Sequence, residues 1–133
     1  MKKPLILLLA LAGLGTGSAL QAQSIFEQWP ALDDFHEVMA DTYHASEEGD
    51  LAPLRARSAE MAEKARLLAQ ADIPADFDTP EIAAAARQLK KDSKKLHKQV
   101  AKGKAEDAEL IAELASLHDV FHRIVGLCRD EEH

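Results

Sequence analysis

His118 and His122 stand four residues apart in the run Leu114-Ala115-Ser116-Leu117-His118-Asp119-Val120-Phe121-His122. On a helix that spacing places two imidazoles on one face, one turn apart. A neutral imidazole offers one nitrogen lone pair, so the two form a ready pair of donors for zinc, copper or nickel. His36 occupies an apolar-spaced position in an earlier segment and would supply a third imidazole. Met61 or His44 would be a further contact, and a thioether would favour copper in its reduced state. Glu37 and Asp119, each beside a histidine, are the carboxylates able to orient a ring from behind. The chain has no nucleophile elbow, glycine-rich phosphate loop, Cys-x-x-Cys-His or His-Glu-x-x-His. The chemistry on offer is therefore ligand binding, and the protein reads as a binding protein rather than an enzyme.

Each of these residues also has a plainer role open to it. A histidine at the edge of an apolar stripe can rest its ring on the core and reach water with its nitrogens. Met39 and Met61 suit core filling. His44, near a helix end, can interact with the helix dipole as a cation. His97 lies among lysines on a polar face and His133 is terminal. Cys128, the one cysteine, is either an inert core thiol or a bridge between two chains in a homodimer. Lys90-Lys91-Asp92-Ser93-Lys94-Lys95 reads as a solvated basic stripe that balances acids elsewhere.

Four helical segments must position the histidines. The first runs from the Trp29-Pro30 step to about Glu48, where Gly49 suits a left-handed cap. Asp50 caps a second helix that tolerates Pro53 in its first turn and continues to about Ala71. Thr79-Pro80-Glu81 is a cap followed by proline at the first position, so a third helix reaches about Lys102 before Gly103. The fourth spans about Ala105 to Arg129. The apolar seams are Leu32, His36, Met39 and Tyr43 in the first helix and Leu54, Ser58, Met61, Ala65 and Leu68 in the second. They continue as Ile82, Ala86, Leu89, Ser93, Leu96 and Val100 in the third, and Ile111, Leu114, His118, Phe121, Val125 and Cys128 in the fourth. No stretch alternates with a two-residue period, so no strands are expected.

Short connections force neighbouring helices antiparallel, which predicts an all-α, up-down-up-down four-helix bundle. Counting 1.5 Å per residue from the helix ends places His36 level with His118, with His122 one turn on and Met61 close to the same height. His44 falls two turns from His36 and towards the surface.

The opening Met1-Lys2-Lys3-Pro4-Leu5-Ile6-Leu7-Leu8-Leu9-Ala10 pairs a basic start with a short apolar run, the form of a secretory signal peptide. Cleavage after Ala22 or Ala19 would leave residues 23–133 as one bundle domain in the periplasm, with no membrane partner afterwards. The net charge of -7 is unsuited to nucleic acid, which demands a basic footprint.

Three stretches resemble the periplasmic cytochrome b-562 group of four-helix bundles. Glu48-Gly49-Asp50-Leu51 with Met61-Ala62-Glu63-Lys64-Ala65 is similar to that group's first turn and second helix, and Pro80-Glu81-Ile82 to the start of its third. Val100-Ala101-Lys102-Gly103-Lys104-Ala105-Glu106 is similar to its last turn, and Val120-Phe121-His122 falls where its C-terminal axial histidine belongs. The resemblance implies a haem b held without covalent attachment, with His122 as one axial ligand and electron transfer as the role. The family's methionine ligand is not matched: Phe35-His36 stands in its place, so the haem alternative pairs His36 with His122. His118 would crowd that porphyrin, and three clustered imidazoles suit a bare copper or zinc ion better. Metal buffering, sensing or delivery is the leading expectation, haem-dependent electron transfer the second, and a ligand-free structural or stress-response bundle the third.

Overall fold

Proline at the first helical position lacks only an N–H that would go unpaired there, and its fixed backbone angle is already helical. Three of the four main helices carry a proline in their first two positions. In the computed structural model, which describes residues 25–131, they are α1 (Pro30–Glu47), α2 (Ala52–Gln70), α3 (Pro80–Lys102) and α4 (Asp107–Glu131). A short helical stretch over residues 25–28 precedes α1, and a 3-10 turn, Ala75–Phe77, lies between α2 and α3. The segment read as a signal peptide and His133 lie outside the described residues. Among the described residues there is no strand, and no helix is long and apolar enough to cross a membrane.

The caps follow the sequence closely. Thr79 Oγ1 accepts the Ile82 N–H at 3.2 Å, and Gly103 ends α3 with φ of 65°, a left-handed conformation that costs a residue without Cβ little. Gly49 turns the chain out of α1 with φ of 81°. The α2 cap differs by one residue from expectation. Leu51 occupies the cap, while Asp50 Oδ1 accepts the Ala52 N–H at 3.0 Å from one position earlier.

Each helix packs on the next in sequence, and α1 meets α4 to close the ring, so the all-α, up-down bundle is as expected. α1 and α4 approach each other less intimately than the consecutive pairs do. The buried stripe of α2 is the expected one: Leu54, Ser58, Met61, Ala65 and Leu68. In α1 the stripe is turned, because Phe35, Val38 and Thr42 are buried while His36 and Tyr43 are only half-buried. α4 shows the same turn, with Leu110, Leu114, Leu117 and Ile124 in the core and His118 at its border. The borders of the two stripes therefore face one another across the closing seam. Thr42 is accommodated in the core because its hydroxyl donates to the Val38 carbonyl at 2.9 Å.

Ion pairs tie the outside. Arg57 on α2 reaches Glu37 at 3.1 Å and Asp41 at 3.0 Å on α1, and Glu60 at 2.8 Å on its own helix. Arg55 meets Asp107 at the start of α4 at 2.7 Å. Such exposed pairs contribute little each, so the apolar core carries the stability. Leu114→Ala, at a fully buried position, is expected to cost about 2–5 kcal/mol, against about 1 kcal/mol for removing the cap in Thr79→Ala. Urea unfolding measures both; the reverse order would contradict this assignment of the core.

Candidate functional site

The seam between α1 and α4 is filled by rings. Phe26 stacks on His36 with centroids 4.8 Å apart and planes 16° apart, and His36 stacks in turn on Phe121 at 5.4 Å and 8°. One to two turns further along α1, Tyr43 lies face to face with His118 at 3.7 Å and 9°. His118 and His122 meet edge to face, with centroids 4.4 Å apart and planes at 70°. Phe121, 6.4 Å from the ring of His122, joins the two groups. Helical spacing alone brings 118 and 122 together, whereas the match across the seam is decided by which flat faces can lie against each other.

That match differs from the level expected by counting residues. His118 faces Tyr43, two turns beyond His36, and the ring partners of His36 are Phe26 and Phe121 rather than either α4 histidine. The cause is the turned stripe of α1: with Phe35 in the core, His36 and Tyr43 both sit at the border, and each takes the nearest aromatic face on α4. Met61 is 1% exposed and belongs to the hydrophobic core. Glu37 is engaged by Arg57 and so does not orient His36. Among the described residues no group of three or more His, Cys, Asp or Glu side chains is placed to hold a metal ion.

What the structure does assemble is a pair with polar neighbours. His44 is exposed and its Nδ1 lies 3.2 Å from Glu47 Oε1, an i,i+3 contact at the end of α1. Burial holds the His118 pKa below the ordinary 6.5, helped by the neighbouring His122 and, less strongly, by His44. Asp119 and Glu47 oppose the shift without reversing it. His118 is consequently neutral at pH 7, with its in-plane lone pair unprotonated. Stacking on Tyr43 covers the face of that ring and leaves its edge, where the nitrogens lie, for other partners.

A haem pinned between His36 and His122 meets a different environment. Phe121, 5% exposed, packs against the rings of both, and Phe26 covers His36 from its other side. A porphyrin on those two ligands would have to displace a core phenylalanine.

Two features escaped sequence reasoning. Tyr43 was visible only as a seam residue, and its role as a stacking partner depends on a cross-helix match that no single helix encodes. His97, read as surface, is half-buried with Nδ1 2.9 Å from Ser58 Oγ across α2 and α3. Its signal was Ser58 itself, a polar residue in an apolar seam that needs a partner when buried.

No family model matches the chain, and no curated protein or solved structure is similar enough to count as a match. The resemblance to the cytochrome b-562 group therefore extends to an all-helical bundle of four main helices and carries no family assignment.

The lowered pKa has a consequence with a defined sign. Above pH 6.5 His118 is neutral in both folded and unfolded chains. Below that value the unfolded chain takes up the proton first, so stability falls as pH drops towards the folded pKa. Denaturation midpoints between about pH 7 and pH 5 should decline in the native protein and decline less in His118→Gln. An equal decline in both would place the titrating group elsewhere.

Proposed function

We propose that this protein is an exported four-helix bundle that binds a transition metal ion, copper or zinc, at the α1–α4 seam. Its role would be to buffer, sense or deliver that ion. The single observation carrying this reading is the His118–His122 pair, 4.4 Å apart with His118 kept neutral. Metal ligation needs a deprotonated imidazole, so a histidine that resists protonation is a better ligand than an ordinary surface one. An ion at the usual zinc–nitrogen distance of roughly 2.0–2.1 Å would see two such ring centres about 90° apart. Small side-chain rotations open that angle towards the tetrahedral one.

His44 is the third ligand in this proposal, in preference to His36. It is close enough to His118 to influence its protonation, and its side chain is 75% exposed. Its contact with Glu47 is a surface pair of the kind that contributes little, so the ring can turn away cheaply. Glu47 is then left beside the site as a carboxylate that can ligate the ion or accept a proton from His44. His36, enclosed between two phenylalanines, serves the seam as a packing residue. Electron transfer through haem is the less favoured reading because of Phe121, and a ligand-free bundle leaves the His118–His122 pair without a use.

Calorimetric titration of the purified protein with zinc, and with copper(I) under reducing conditions, tests the proposal. One tight site is expected, abolished in His118→Ala/His122→Ala. His44→Ala should weaken it by roughly 10- to 100-fold, at least the effect of losing an outer-shell partner. Met61→Leu and His36→Phe should leave the affinity unchanged. Undiminished binding by the double variant, with its helical circular dichroism intact, would overturn the assignment.

A further inference from the structure

The outward face of α3 carries a positive charge that no ion pair among the described residues neutralises. Pro80–Lys102 holds seven basic residues and two acids, a net +5, which leaves -12 on the rest of a chain whose total is -7. Six of those residues, Lys90, Lys91, Lys94, Lys95, Lys98 and Lys102, are all exposed. None of them is ion-paired among the described residues, whereas Arg55, Arg57 and Arg66 each engage a carboxylate. The one acid among them, Asp92, accepts both its hydrogen bonds from Gln88 at 2.9 Å. At 100° per residue the six lysines fall within about 140° of the helix circumference, and they extend along about 18 Å of its length. Because α3 packs on α2 and α4, it stands diagonally opposite α1, so this stripe faces away from acidic Asp33, Asp34, Glu37 and Asp41. The stripe is thus segregated from the acids of α1, with Glu113 and Glu109 of α4 at its border beside Lys95 and Lys102, and its unpaired lysines change the reading of it as a merely solvated face.

We propose that the α3 stripe is a docking surface for an anionic lipid bilayer. Three features select that occupant. The lysines form one straight row along a single helix, which suits a flat surface. Its cations are lysines, hydrated point charges that attract anions diffusely, and not the planar forks that arginine uses for stereospecific carboxylate or phosphate pairing. No phenylalanine, tyrosine or tryptophan lies between the lysines to stack on a base, and His97 is half-buried against Ser58. Apolar residues of α3 are committed to the core, so attachment is electrostatic, peripheral and weakened by salt. The acids of α1 lie on the opposite side, where repulsion from the bilayer orients the molecule with α3 downward.

Vesicle flotation with the exported protein as purified, its N-terminus read by mass spectrometry, tests this. Vesicles of phosphatidylcholine with about one third phosphatidylglycerol should retain the protein at low salt, and release it at about 0.5 M sodium chloride, where charges are screened within a few ångströms. Vesicles of phosphatidylcholine alone should not retain it. Lys90→Glu/Lys94→Glu/Lys98→Glu should lose at least tenfold in vesicle partitioning, and Lys90→Gln/Lys94→Gln/Lys98→Gln, which adds no new charge, should lose most of it. Retention of either folded triple variant at the native level would overturn the proposal, as would absence of the native protein from anionic vesicles. Equal retention on neutral vesicles would show apolar insertion instead and overturn it too. Preferential capture by duplex DNA over the vesicles at equal charge would assign the stripe to another polyanion. None of these results depends on whether the seam binds metal.

Discussion

Everything in this structure that bears on chemistry depends on how the first helix meets the last. The other three helix pairs are joined by short connections and close through aliphatic side chains, but α1 and α4 have no such tether. Their contact is made by flat rings laid against each other, Tyr43 on His118 and His36 on Phe121. Ring stacking fixes both spacing and rotation more narrowly than interdigitating leucines do. It also draws polar imidazoles to the border of the core, where burial lowers the pKa of His118 without sealing it from solvent. The position of the histidine pair at the border of the core is therefore a product of the way the bundle closes.

This arrangement is compatible with both packing and the proposed ligation. A ring's faces are used for stacking and its edge for lone pairs, so one imidazole can serve the core and an ion at once. His118 does the first through Tyr43, and its lowered pKa suits it to the second under the proposed function. His122, more exposed, is the partner that can adjust. His36 shows the other outcome of the same geometry: with phenylalanines on both faces, it reads as part of the wall. The distinction between these histidines lies in their neighbours, since all three are equally imidazoles.

Much of the fold was legible because each helix announces itself locally. The Pro30, Pro53 and Pro80 starts, the Thr79 cap and the Gly49 and Gly103 exits set boundaries within two residues of those observed, and the seams of α2 and α3 matched burial closely. The His118–His122 pairing was legible for the same reason, since it needs only one helix. What the sequence concealed was rotation. Whether Phe35 or His36 enters the core is decided by competition between neighbours one residue apart, and the larger apolar ring won. That choice displaced the cross-seam match from His36 to Tyr43 and brought His44 closer to the pair than counting suggested. Ser58 with His97 was hidden similarly, because its partner lies on another helix.

Function at the seam turns on which imidazoles act together. Zinc titration followed by nitrogen-15 correlation spectra of the histidine side chains reads this residue by residue, and zinc is diamagnetic. The ring signals of His118, His122 and His44 should move together and saturate at one equivalent, with those of His36 and His97 unmoved. A response confined to His36 or His97, or no response in the α4 pair, would contradict the account.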